Sequence, residues 1–300
     1  MTSASRTVAI TGASGFLGSA LAAHFRATGD LVVTVGRSPG SDVRWDPARG
    51  TITGAALGDA DRVVNLAGST IGQRWTAAVR PDLKASRVAA TRLLCETLAR
   101  QSRRPAVLLS GSAIGIYGSR GDEWLDESSA PGSDYLAEVA SAWEAATAPA
   151  REAGIRTVLM RTGIVLHPRG GALAKMLLPF QLGAGGRLGD GRQWMSWISR
   201  TDWLAAVAHL AGDAARAGAV NVVGPEPVTN ATFTDTLGRI LRRPTVAAVP
   251  AFALKALFGE MAGATVLASQ RVRAGVLEAS GFRFSHPTLS SALRAELDLA

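Results

Sequence analysis

The 300-residue sequence predicts an α/β fold, a doubly wound parallel sheet followed by a smaller C-terminal α/β lobe. Short apolar runs alternate with helical patterns through the first half, as parallel βαβ units require. Those runs are apolar throughout rather than alternating, which suits strands covered on both faces. A glycine-rich turn also separates the first run from the first helical pattern.

Arg6 to Thr11 is the first strand. Phe16 to Thr28 is a helix with Leu17, Leu21 and Phe25 on its apolar face and Gly29 at its end. Leu31 to Val35 and Asp61 to Leu66 are further strands. Residues 82–101 carry Val88, Leu93, Leu94 and Leu98 at helical spacing. Ala106 to Ser110 is a strand, Ser133 to Ala153 a helix, and Arg156 to Arg161 a strand. After about residue 165 glycine becomes dense (170, 171, 183, 185, 186, 189, 191), and Trp194, Trp197 and Trp203 follow. One more strand, Ala219 to Val223, precedes helical segments. Pro225, Pro227 and Asn230 indicate a turn with a helix starting at Thr232, and Val246 to Leu267 reads as a buried or amphipathic helix. Residues 1–165 therefore form one domain. Residues 166–300 form mainly the second lobe, with about 195–225 returning to the first domain.

Composition narrows the function. At 47% hydrophobic and 19% charged residues the chain is a folding one. Its single cysteine, Cys95, excludes an internal disulfide framework and a multi-cysteine metal site. The histidines at 24, 167, 209 and 286 are scattered, so no metal is expected. The net charge of +8 comes from dispersed arginines and only three lysines, Lys84, Lys175 and Lys255, and no nucleic-acid partner is expected. The opening MTSASRTVAITGASG lacks a signal-peptide apolar core. Pro250, Lys255 and Glu260 interrupt the most apolar late stretch, so no membrane partner and a cytoplasmic location are expected.

The segment Thr11-Gly12-Ala13-Ser14-Gly15-Phe16-Leu17-Gly18 lies at the first strand-to-helix junction of what is then a Rossmann-type domain. Gly12 permits the tight turn, Gly15 admits a pyrophosphate close to the backbone, and Gly18 lets helix and strand pack closely. Free N–H groups at the helix start receive phosphate, and the Ser14 hydroxyl adds a donor. Gly12, Ser14, Gly15, Phe16, Leu17 and Gly18 are thus assigned to a dinucleotide. The second strand ends in Gly36-Arg37, where an NAD site usually carries Asp or Glu. A guanidinium there matches a ribose 2′-phosphate, so NADP (NADPH) is the expected cofactor.

The turn and Asn65-Leu66-Ala67-Gly68 resemble the extended and atypical short-chain dehydrogenase/reductase superfamily. Further stretches resemble one subgroup, the epimerase family with a small C-terminal domain of unknown function, which sometimes carries a SulA-like cell-division label that no residue here supports. They are Trp45-Asp46-Pro47, Arg74-Trp75, Ser86-Arg87 with Thr91, Ser112 to Gly118, Trp143-Glu144, Arg161-Thr162-Gly163, Gly189-Asp190-Gly191 with Trp197-Ile198, and Ser269 to Val272. The resemblance implies that Leu66, Ala67 and Gly68 line the adenine side, that Arg87 approaches the cofactor, and that Arg161 to Val165 close over the nicotinamide half. It also implies a possible homodimer through helices 82–101 and 133–153.

The superfamily's Tyr-x-x-x-Lys pair is absent. Leu136 and Ala140 stand where it belongs, and Ala113 stands at the usual serine position. The remaining candidates for chemistry are Ser112, Tyr117 and Tyr135, with Asp122, Glu123 and Glu127 between the tyrosines. Ser110 and Ser112 are candidates to orient a carbonyl, and Ser110 is placed with the cofactor shell. In the second lobe glycines 183–191, Trp194, Trp197, Arg192 and Arg200 offer either a substrate wall or lobe packing. An oxidoreductase acting on a small carbonyl or sugar-like molecule is expected. The alternative is a non-catalytic NADP-binding sensor or regulator.

Overall fold

A computed structural model describes residues 5–299. The reading of the extreme N-terminus rests partly on residues 1–4, which lie outside the described residues. The chain begins β1 (Thr7–Thr11), α1 (Phe16–Ala27), β2 (Leu31–Gly36), β3 (Val43–Asp46), β4 (Thr51–Thr53), β5 (Arg62–Asn65), α2 (Val79–Arg100) and β6 (Val107–Ala113). It continues β7 (Trp124–Leu125), α3 (Tyr135–Ala145), α4 (Ala148–Glu152), β8 (Arg156–Thr162), β9 (Ile164–Leu166) and α5 (Gly171–Gln181). Then come β10 (Gly186–Leu188), β11 (Trp194–Met195), β12 (Trp197–Ser199), α6 (Arg200–Gly212), β13 (Gly218–Val222), β14 (Val228–Thr229) and α7 (Asn230–Leu241). The last elements are β15 (Ala247–Val249), α8 (Ala251–Phe258), α9 (Glu260–Ala264), β16 (Arg271–Val272), α10 (Gly275–Ala279) and α11 (Leu289–Glu296).

Eight strands form the main sheet in the order β13-β8-β6-β5-β1-β2-β3-β4, all parallel except β4. Strand succession runs one way from β1 through β2 and the other way from β5 through β6. The switch point therefore lies at the carboxyl ends of β1 and β5, where α/β sheets bind ligands. The apolar strand residues Val8, Ile10, Val63, Val64, Leu108, Leu109, Val158 and Met160 are fully buried, because helices cover both faces.

Some local expectations change. The helix expected over 133–153 is two helices, broken at 146–147. Pro149 has no N–H to continue the first, and the Thr147 hydroxyl donates to the Glu144 carbonyl instead. The helix expected from Thr232 begins at Asn230, capped by Thr229, whose side chain accepts from the Thr232 N–H. The stretch 246–267 is a short strand and two short helices, divided by Pro250 and by Gly259 at φ +64°.

The second lobe has its own core, including Leu173, Phe180, Trp197, Phe233, Leu237 and Leu293. From the segment 195–225, α6 and β13 pack on the main sheet through Trp203, Val207, Leu210 and Val220. Residues 272–282 also return to it, through Val272, Leu277 and Phe282, although the sequence placed them in the lobe. Their apolar positions are too few and too short-spaced to reveal which core they join. No helix among the described residues is long and apolar enough to cross a membrane.

Candidate functional site

The glycine turn sits at the switch point. Gly12 has φ +68°, a conformation that side-chain-bearing residues rarely adopt. A β-carbon on Gly18 would lie 2.1 Å from the Gly12 carbonyl oxygen, so only glycine lets α1 start this close to the turn. Gly15 is the N-cap residue of α1, and no side chain satisfies the helix's first N–H groups. Ser14 and Gly15 are exposed above them. An uncapped, solvent-facing helix N-terminus beside a tight glycine turn fits a pyrophosphate.

Phe16 and Leu17 do different work. The Phe16 ring packs on Gly170, where a β-carbon would come within 2.3 Å of it, and lies 5.7 Å from the His167 ring. It therefore docks the turn onto the loop before α5. Leu17 packs into the main core. Burial and the nearby Arg200 hold His167 below the usual histidine range, so the ring backing Phe16 is neutral at pH 7.

Gly36 ends β2 and Arg37 extends beyond it, exposed and without an ion pair among the described residues. A guanidinium with no competing carboxylate fits a 2′-phosphate. Leu66, Ala67 and Gly68 follow β5 at the switch point. Their backbone is held by the Thr11 hydroxyl, whose oxygen accepts from the N–H groups of Leu66 at 3.0 Å and Ala67 at 3.2 Å. Thr11 in turn donates to Asn65 Oδ1 at 2.7 Å, and Asn65 Nδ2 donates to Thr91 at 2.8 Å and Ser110 at 3.4 Å. The Trp143 indole completes the network on Thr91 at 2.9 Å. Thr11, Asn65, Thr91 and Trp143 were not singled out as site residues. The available signal was a polar residue ending each of two apolar strands.

Several assigned side chains are committed inside the protein. Ser110 is fully buried in that network, so it does not face a ligand. Arg87 donates to the carbonyls of Leu83 at 3.0 Å and Ser69 at 2.8 Å, and lies 5.3 Å from the Trp143 ring centre. Its guanidinium also packs beneath Gly68. It braces the loop after β5, and burial lowers its pKa from the ordinary arginine value. Val165 is buried in the main core.

Arg161, expected beside the nicotinamide half, has its guanidinium committed to partners inside the protein. It forms a two-pronged pair with Glu144, Nε to Oε1 at 2.8 Å and one terminal nitrogen to Oε2 at 3.0 Å. Its other terminal nitrogen donates to the Tyr117 oxygen at 3.1 Å. Burial alone would lower its pKa, but the Glu144 carboxylate more than offsets this and holds the guanidinium charged. Ser112 donates to the same carboxylate at 2.6 Å. Tyr117 is fully buried and donates to Asn221 at 2.7 Å. Burial pushes its phenol up, which disfavours a phenolate. Ser112 and Tyr117 are thus tied into the carboxyl edge of β6 and β8 rather than presented to a substrate.

Tyr135 is different. It opens α3, is half-buried, donates to the Arg80 carbonyl and meets the Trp75 ring edge-on at 5.4 Å. The Arg80 guanidinium lies 4.2 Å over its ring. Burial raises its pKa, so it is a protonated phenol at neutral pH. Next to it Leu136 packs over Gly115 of the turn after β6. The loop 68–78 and the first turn of α2 bridge both lobes here: Lys175 donates to the Gly72 carbonyl at 2.9 Å, and Arg80 pairs with Glu260 at 2.9 Å.

The three acidic loop residues are occupied. Asp122 accepts from the Trp194 indole, Glu123 pairs with Arg120, and Glu127 accepts from the Asn221 N–H. The second lobe's aromatic residues pack rather than form a wall. Trp197 is buried in the lobe core, and Trp194 stacks on Arg271 at 4.0 Å, with Trp124 on the other ring contact of that guanidinium, also at 4.0 Å. Gly186 faces Ala247 so closely that a β-carbon would sit 2.0 Å from its carbonyl oxygen. Among the described residues no cluster could hold a metal ion.

Switch point, glycine turn and uncapped helix define a Rossmann-type dinucleotide-binding protein. The chain belongs to the NAD dependent epimerase/dehydratase family, whose model matches residues 8–224, and residues 249–296 match a domain of unknown function. It is 43% identical over 294 residues to an epimerase family protein of Mycobacterium bovis, covering 97% of both chains. A crystal structure of human epimerase family protein SDR39U1 with NADPH superposes with a TM-score of 0.89 at 30% identity, covering 97% of this chain and 99% of that one. The nucleoside-diphosphate sugar epimerase of Corynebacterium glutamicum superposes with a TM-score of 0.80 at 36% identity, over 98% of this chain and 58% of that one.

Proposed function

We propose that this chain binds NADP(H) and reduces or oxidises a small carbonyl or sugar-like molecule. The observation that carries the reading is the pairing of an uncapped α1 N-terminus with the unpaired Arg37 at the end of β2. The human relative crystallised with NADPH supports the choice of cofactor. Bound there, NADP(H) supplies or accepts a hydride. The first N–H groups of α1 and the Ser14 hydroxyl hold its pyrophosphate, Arg37 its 2′-phosphate, and the Leu66–Gly68 backbone its adenine side. Calorimetric titration should give tighter binding of NADPH than of NADH. Arg37→Ala should erase that preference, weakening NADPH by roughly 10- to 100-fold, the worth of one or two charge-assisted hydrogen bonds. An unchanged preference would remove Arg37 from the site.

Of the three candidates for the proton that accompanies the hydride, Tyr135 alone is partly exposed and would have to release the Arg80 carbonyl to serve, whereas Ser112 and Tyr117 are buried and occupied internally. Tyr135→Phe keeps the ring on Trp75 and should lower kcat by at least ~100-fold if the phenol is the donor. An unchanged kcat assigns the proton to water or to a substrate group.

The second reading, a cofactor-dependent sensor without turnover, is favoured by Leu136 and Ala140 at the positions of the missing pair. It expects NADPH binding as above but no oxidation of NADPH with any member of a carbonyl and nucleotide-sugar panel.

A further inference from the structure

We propose that one corner of the C-terminal lobe docks onto an anionic phospholipid surface without crossing it. The corner joins the end of α5, the end of α7 and the segment leading into β15. Leu178 on α5 and Leu182, the residue that caps its C-terminus, lie four residues apart and are 63% and 74% exposed, and Val246 is 94% exposed. Chain geometry brings Leu182 and Val246 to one junction. A side chain on Gly183 would touch Pro244 at 3.9 Å, and β10 runs parallel to β15 with Gly186 opposite Ala247. Beside them Arg239, Arg242 and Arg243 line an open, shallow cavity of about 580 Å³ with Gly238, Pro244, Thr245 and one carboxylate, Asp235.

The arginines are not neutralised internally. Arg239 donates to the Asp235 backbone carbonyl and the Thr236 hydroxyl, and none of the three forms an ion pair among the described residues. Asp235 contacts the Thr245 hydroxyl at 3.5 Å, leaving an excess of positive charge.

Charge and apolarity together select the partner. A free phosphate would engage the arginines and leave Leu182 and Val246 in water. A second copy of the same corner would set arginine against arginine. A nucleic acid, like free phosphate, would engage the arginines through its backbone and leave Leu182 and Val246 in water, and a single strand would further call for an aromatic stacking platform, which does not line the cavity. Anionic headgroups meet the arginines while the acyl boundary just beneath them covers the projecting apolar side chains. The net charge of +8 adds long-range attraction. This inference concerns a face built from the second lobe and stands apart from the cofactor reading.

The test is co-sedimentation of the full chain with vesicles of phosphatidylcholine alone or mixed with phosphatidylglycerol, at low and raised salt. Binding is expected only with phosphatidylglycerol and should weaken with salt. Arg242→Ala and Arg243→Ala should each lower the partition constant about fivefold. The double variant Leu182→Asp with Val246→Asp should abolish sedimentation. Thermal melts of every variant, matching the unmodified chain, exclude misfolding. Equal sedimentation with both vesicle types overturns the proposal. So does full binding by the double variant, whether or not inorganic phosphate competes, since that leaves an anion site only. A concentration-dependent dimer that dissolves in the double variant, with no vesicle binding, overturns it in favour of a second copy.

Discussion

Glu144→Ala should destabilise the protein by about 3–5 kcal/mol, the cost of leaving a buried charge without its partner. Glu144 and Arg161 are about one-tenth exposed, and the carboxylate also accepts from Ser112. Removing it orphans the Arg161 guanidinium between β6, β8 and α3, beneath the edge where the cofactor would lie. Urea unfolding followed by circular dichroism measures the change. Glu144→Leu combined with Arg161→Met should recover most of the loss, because two apolar groups of similar size carry no desolvation cost. A loss of less than about 1 kcal/mol in Glu144→Ala would show that water reaches the guanidinium and that the edge is softer than its geometry indicates.

Gly18→Ala should cost NADPH affinity at least ~100-fold, since small misplacement of binding groups costs that much. The added methyl would stand 2.1 Å from the Gly12 carbonyl oxygen, and the obstacle is backbone rather than a flexible side chain. Either α1 moves away from the turn or the turn opens, and both spread the N–H groups proposed to hold the pyrophosphate. Overpacking adds roughly 1–3 kcal/mol of destabilisation. Gly212→Ala is the control, because a β-carbon there meets nothing within 4 Å. Calorimetric titration of both variants decides the matter. Equal affinities would mean that phosphate binds elsewhere.

The two predictions separate what was visible along the chain from what was not. Gly12, Gly15 and Gly18 were legible because local backbone geometry forces glycine at a tight strand-to-helix turn. The alternation of apolar runs and helical patterns was legible for the same reason: period and length are local properties. So was Arg37, since its place follows from where the second strand ends.

The fates of Ser110, Ser112, Tyr117 and Arg161 were not legible. Each has the chemistry for a ligand contact, and each lies in β6, in β8 or in the turn just after β6. Only the packing of α3 against β6 and β8 brings Glu144 to Arg161 and Ser112, and only the pairing of β13 with β8 brings Asn221 to Tyr117. Partners 17 to 104 residues apart leave no spacing signal. The second lobe repeats the lesson: its glycines and tryptophans, open to either ligand or packing, are used by β10 against β15 and by the Arg271 stack.

The sequence by itself determined the parallel α/β fold and the glycine turn at its first strand-to-helix junction, because both depend on neighbouring residues obeying local steric rules. Only the tertiary structure decided which polar side chains remain free to act. That choice depends on which distant partner each one meets when buried, since a polar group withdrawn from water takes whatever hydrogen-bonding partner the fold brings to it.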